Sequence, residues 1–172
     1  MPINRPKFIL NLCGIPGPIG AEIGVFRGLH AVNLLRQDPK LQLYLVDSWE
    51  PHKGTRYSVE NQLQWMRAAI NNVQPFSDRV TIIAKRSVNA AKLIKDRSLD
   101  FVYIDAEHTF EAVKQDIRVW TPKLKPGGVM VGDDLELNPV EQAVRECFPD
   151  FNRHGNQWFI HEPHLHLQGT SK

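Results

Sequence analysis

Two alternating patterns run along the chain. Short runs of aliphatic, β-branched and aromatic residues occur at Ala21–Val25, Leu41–Val46, Arg79–Ala84, Leu99–Ile104 and Val129–Val131. Runs of this length and composition predict buried strands. Between them the apolar positions recur at helical spacing. One helix is expected from Leu29 to Arg36, stopped by Asp38-Pro39. A second is capped by Ser58 and places Val59, Leu63, Met66 and Ile70 on its buried face. A short helix is capped by Ser87 and ends near Lys95. Phe110, Val113, Ile117 and Trp120 mark a fourth, stopped by Pro122, Pro126 and Gly127-Gly128. Asn138-Pro139-Val140-Glu141 has the pattern of a capped helix start, with Val140, Val144, Cys147 and Phe148 as its buried face. Phe151–His154 and Gln157–His161, joined by Gly155-Asn156, predict a closing hairpin. Gly14 to Gly20 is a turn-rich lead-in.

Strands alternating with helices imply an α/β fold, a doubly wound and mostly parallel sheet with helices on both faces. The hairpin adds antiparallel strands at one edge. Residues 1–162 form one expected domain and 163–172 a loose tail. The strand order is expected to reverse between the strand carrying Glu22 and the strand carrying Phe101.

This topology gives the polar residues their meaning. Leu99–Ile104 ends in Asp105, with His108 three residues on. Val129–Val131 runs into Asp133-Asp134. A parallel crossover brings both ends to the same sheet edge, where open α/β sheets bind ligands. Glu22 lies within the first strand, and Gly24 and Gly28 sit where that strand gives way to a helix. Glycine there lets a ligand approach the backbone, and the helix start offers free N–H groups. Asp47 ends the second strand, at the spacing of an acid that binds ribose hydroxyls. The loop Glu22-x-Gly24-x-x-x-Gly28 is not the dinucleotide glycine pattern, because Phe26 and Arg27 stand where a pyrophosphate needs open backbone. A phosphate-free cofactor with an amino-acid end and a nucleoside end fits better.

AEIGVFRG, LYLVDSW and LDFVYIDAEHTFEAVKQDIRVWTPKLKPGGVMVGDDL together resemble the class I S-adenosylmethionine-dependent methyltransferases. The closer match is to macrocin-type and related sugar O-methyltransferases, with catechol O-methyltransferase more distant. The resemblance spans roughly Gly17 to Phe159. It implies that Glu22, Gly24 and Gly28 line the methionine end of the cofactor and that Asp47 holds the ribose, with Ser48 and Asp105 also among the cofactor-binding residues. It implies further that Asp105, Asp133 and Asp134 hold a divalent metal and that His108 is the general base. The segment Ala84-Lys85-Arg86-Ser87 lacks the Gly-Asp pair often found near the adenine in that family.

The chemistry expected is methyl transfer to a hydroxyl of a small molecule such as a sugar, phenol or natural product. A hard divalent cation, Mg²⁺ or similar, favours the oxyanion and positions it, while an imidazole takes the proton. Two rivals use the same residues: a domain that binds S-adenosylmethionine without transferring methyl, and a metal-dependent hydrolase. The hydrolase leaves the Glu22 loop and Asp47 unexplained. A formal charge of +2 gives no pull toward nucleic acid or membrane. Two cysteines, Cys13 and Cys147, without paired spacing, suit a reducing, cytoplasmic compartment. Arg5 and Lys7 before a short apolar run look faintly like a leader, but Asn11 and the Pro/Gly cluster interrupt it, so an ordinary mature start is expected. The short N-terminal segment leaves an open front, for which a homodimer would supply pocket walls. Trp49, His52, Lys53, Arg56 and Tyr57 are expected to decorate an exposed loop, Trp158 to pack, and His161, His164 and His166 to lie in or beside the tail.

Overall fold

The computed structural model describes residues 4–51 and 57–163. Its strands are β1 (Ile19–Ile23), β2 (Gln42–Asp47), β3 (Val80–Ala84), β4 (Leu99–Ile104), β5 (Leu124–Gly132), β6 (Asn152–His154) and β7 (Gln157–His161). They form one sheet in the order β3-β2-β1-β4-β5-β7-β6. The first five are parallel, β7 runs antiparallel to β5, and β6 antiparallel to β7. The order reverses between β1 and β4, as the alternation of elements requires.

Side chains alternate across this sheet and build two cores. On one face, Ile23, Val102 and Met130 pack under α4 (Ser87–Ala91), α5 (Phe110–Trp120) and α6 (Asn138–Cys147). On the other, Leu45, Phe101, Tyr103 and Val131 pack under α1 (Arg5–Cys13), α2 (Leu29–Gln37) and α3 (Val59–Val73). Trp158 is buried on the first face and lies across Gly132, where a Cβ would fall 2.3 Å from the indole. The missing side chain is what lets the hairpin dock at the end of β5. Cys147 is buried in the same core, as expected of a small apolar residue.

Several elements differ from expectation, each for a local reason. Arg5–Cys13 is a helix for which the sequence pattern assigns no element: Asn4 caps it through Lys7 N, and Ile9 is buried against the sheet. Strand β1 spans Ile19–Ile23, ahead of the expected Ala21–Val25, because Gly24 leaves the extended conformation. β5 begins at Leu124, and the Pro126-Gly127-Gly128 segment is an irregularity inside it. On α3 the buried residues are Gln62, Ala69 and Val73, whereas Val59, Leu63 and Ile70 are exposed and only Met66 of the expected four packs on the core. Ser87 does not cap α4; Arg86 holds the cap position and makes no side-chain capping bond. Asn138 likewise lies inside α6, behind an uncapped Leu137. Trp49 is buried, not loop decoration, and its Nε1 donates to Phe26 O at 2.9 Å. His161 is the last residue of β7, while His52, Lys53, Arg56, His164 and His166 lie outside the described residues. Among the described residues, no helix is long and apolar enough to cross a membrane.

Candidate active site

The carboxyl edge is built by three loops that hold one another. Gly24 follows β1 with φ of +90°, and its N–H donates to Val46 O at 2.9 Å. A Cβ here would sit 2.0 Å from the Asp105 carbonyl oxygen, so only glycine lets the first loop lie against the end of β4. Asp47, at the end of β2, clamps the same loop. Its Oδ2 accepts from Val25 N at 3.0 Å and Phe26 N at 2.9 Å, and its Oδ1 accepts from Trp49 N at 2.8 Å. Oδ1 thus keeps acceptor capacity for a ligand. Gly28 adopts a left-handed conformation at the cap of α2.

These loops enclose a cavity of about 660 Å³, a size that suits a small-molecule cofactor. Gly24, Asp47 and Ser48 lie on one wall. Phe26 and Trp65 form an aromatic pair 4.5 Å apart, with Tyr57 packed edge-on to Trp65 at 4.7 Å. Arg86–Asn89 and, from α5, Ala112, Gln115 and Asp116 also line the cavity.

At one lip stand Asp105, His108 and Asp134, each offering a ligand atom within 4.8 Å of the others. His108 Nε2 is 2.8 Å from Asp134 Oδ2 and 3.6 Å from Asp105 Oδ1. Hydrogen bonding toward Asp105 raises the His108 pKa; burial opposes this, and the Asp134, Asp105 and Asp133 charges reinforce it. Burial raises Asp134, and the His108 charge pulls it back. Two carboxylates and an imidazole are a donor set suited to a divalent ion, so these residues fit the metal that the family resemblance implies.

Asp133 is not part of this group. Its side chain is 2% exposed and belongs to the α1 face, where Oδ2 pairs with Arg5 Nη1 at 2.7 Å and accepts from the Tyr103 hydroxyl at 3.2 Å. Of the three carboxylates expected together, the structure brings Asp105 and Asp134 to His108, while the left-handed turn at Asp134 leaves Asp133 facing the other layer. Glu22 also lies off the cavity wall. It is 1% exposed and pairs with His30 Nδ1 at 3.1 Å, beneath α2. Burial pushes Glu22 up, and the His30 charge opposes it. Burial would lower His30, but the Glu22 carboxylate overrides that and raises it.

Sequence reasoning missed Arg5, His30 and Asp116. Arg5 and His30 carry no local signal, since their partners are distant in the chain. Asp116 does carry one: it falls between Val113 and Ile117 on the buried stripe of α5, where a carboxylate demands a partner.

Residues 21–135 match the model of a family described as "Methyltransferase domain". A curated relative, the uncharacterized protein y4gI of Sinorhizobium fredii (strain NBRC 101917 / NGR234), is 27% identical over 100 residues, 58% of this chain and 11% of the relative. The chain thus spans about a tenth of that protein's length. Among solved structures, cofactor-bound Rv0187 from MTB superposes with a TM-score of 0.71 at 16% identity, over 95% of this chain and 82% of that one. The O-methyltransferase NovP gives 0.67 at 15% identity, over 93% and 80%. CalS11, a TDP-rhamnose 3'-O-methyltransferase, gives 0.64 at 12% identity, over 91% and 76%. At these identities the likeness establishes the fold.

Proposed function

The chain belongs to the methyltransferase-domain family, and from that premise we propose that it transfers the methyl group of S-adenosylmethionine to a hydroxyl oxygen of a small molecule, assisted by a divalent ion such as Mg²⁺. The observation that carries this reading is the meeting of Asp105, His108 and Asp134 at the lip of a cofactor-sized cavity. The fold shared with NovP and CalS11, both named as O-methyltransferases, supports oxygen as the acceptor atom.

S-adenosylmethionine supplies, when bound, a methyl group made electrophilic by its sulfonium. Gly24, Gly28 and the start of α2 would hold its amino-acid end, and Asp47 Oδ1 and Ser48 its ribose. Glu22 would serve indirectly, by fixing His30 in the first turn of α2. Asp105 and Asp134 would hold the metal, which when bound favours the deprotonated hydroxyl. His108 Nε2 has a single lone pair when neutral, so it either ligates or takes a proton. We assign it the proton: its carboxylate neighbours raise its basicity and fix its orientation.

The test is methyl transfer from labelled S-adenosylmethionine to a panel of sugars, catechols and phenols. Product is expected with Mg²⁺ and not in EDTA. His108→Ala is expected to lower turnover by about 10²–10⁴-fold while S-adenosylhomocysteine and Mn²⁺ still bind. Transfer that persists unchanged in EDTA removes the metal role. Loss of Mn²⁺ binding in the variant makes His108 a ligand and not the base. Cofactor binding with no product across the panel returns the protein to the non-catalytic reading.

A further inference from the structure

We propose that the protein pairs with a second copy of itself through the exposed face of α3, the two helices antiparallel about a two-fold axis, as a weak and concentration-dependent dimer.

That face is apolar where it meets solvent. Val59, Leu63 and Ile70 are 61%, 46% and 40% exposed. With Met66, which is half-buried against the molecule's own core, they follow one another at intervals of four, three and four residues. This is the spacing of a seam between two helices, the d and a positions of a heptad. The inward side of the helix is a different set, Gln62, Ala69 and Val73. The stripe therefore has no role in the fold of the single chain, and it runs for about 16 Å along the helix. A contiguous apolar strip of this kind marks an interaction surface.

The flanking charges indicate what covers it. Glu60 and Arg67 stand beside the stripe, at its two e positions, and both are exposed. They are seven residues apart, about 10 Å along the axis, and too distant to pair with each other. Inside α3 their neighbours one turn away are Leu63, Gln64, Ile70 and Asn71, none of them charged. Among the described residues neither belongs to an ion pair.

A second α3 supplies both missing partners at once. In an antiparallel pair the e positions of one helix face those of the other. The register that sets Val59 against Ile70 of the second copy sets Leu63 against its Met66 and Glu60 beside its Arg67. The two-fold axis repeats each contact, so all four charges meet their opposites. A parallel pair instead sets e against g, and the g positions here are Gln62 and Ala69, which carry no charge. The pattern thus selects a second copy in one orientation. Gln62 and Trp65, the residues of α3 that line the cavity, lie off the stripe, so the contact does not involve the active site. One helix pair of this length buries less than the about 800 Å² per partner of a standard interface. The dimer is accordingly weak, and the dilute chain is a monomer.

The test is sedimentation equilibrium of the intact chain between about 5 µM and about 500 µM, on the wild type, on Glu60→Arg, on Arg67→Glu and on an equimolar mixture of those two variants. The wild type is expected to pass from monomer to dimer across this range. Each variant alone sets like charges together at both ends of the seam and is expected to associate at least about tenfold more weakly. The mixture sets opposite charges together again and is expected to recover wild-type association as a heterodimer. The double variant Glu60→Arg/Arg67→Glu, which exchanges the two signs, is expected to recover it as well. A wild type that stays monomeric throughout overturns the inference and leaves the stripe to another occupant. Single variants that associate as well as the wild type, or a mixture that does no better than its components, overturn it too.

Discussion

Asp116 sets a pH dependence, since it is ionised at a place that solvates it poorly. Burial raises its carboxyl from the ordinary 3.8 to about 6, the Ser87 hydroxyl pulls it down, and Glu107 adds to the push. The folded chain therefore holds this proton more tightly than the unfolded chain. The stability it contributes is fully present below about pH 4 and is lost as pH rises through about 6, with a ceiling of about 3 kcal/mol. Asp116→Asn removes that loss. Urea denaturation at about pH 4 and about pH 7 is expected to show the variant gaining on the wild type by up to that ceiling; a difference constant with pH means the carboxyl is well solvated. Single residues were legible in the sequence where they end strands, because topology alone brings Asp105, His108 and Asp134 to one edge. Asp133 was misplaced because spacing does not show that the peptide between two adjacent acids sends their side chains to different layers.

Helix α3 shows why a helical period does not by itself fix a buried face. The stripe Val59, Leu63, Met66, Ile70 is the more hydrophobic, yet the chain buries Gln62, Ala69 and Val73. Steric fit decides: the α carbon of Ala69 lies 3.3 Å from where a side chain on Gly28 would begin, so two small residues let α3 approach the start of α2. No hydrophobicity scale contains that contact. Leu63→Gln is accordingly expected to change unfolding free energy by less than about 0.5 kcal/mol. Ala69→Leu, forced against the first loop, is expected to cost about 1–3 kcal/mol. Chemical denaturation of both variants decides between the two faces. The capping box on α3 was half legible. Ser58 accepts from Asn61 N as expected, and the Asn61 side chain answers by accepting from Ser58 N. The start of α6 was not legible, because its preceding loop is shaped from afar: Leu135 N donates to Asn156 O, and Glu136 N to the Asn156 side chain.

At the scale of the whole molecule, the parallel sheet and its switch point followed from the alternation of elements, and the first helix did not. α1 carries no element signal of its own until the second face of the sheet is there to receive Ile9, and until β6 is there to stack His154 on Phe8 at 4.2 Å. Arg5 then closes the layer by pairing with Asp133. Arg5→Ala leaves that buried carboxylate without its cation, held by the Tyr103 hydroxyl and the Asp134 backbone N–H. Because the guanidinium is 46% exposed, the expected loss is modest, about 1–2 kcal/mol. Adding Asp133→Asn is expected to restore most of it in a double-mutant cycle followed by thermal melting; additive losses would mean that the pair contributes nothing to the fold. The adjacency of Asp133 and Asp134 reaches further than this one ion pair. Asp134 follows Asp133 directly, with a left-handed φ of 57°, so a single peptide plane joins the carboxylate that anchors the N-terminal helix to the one at the reactive lip.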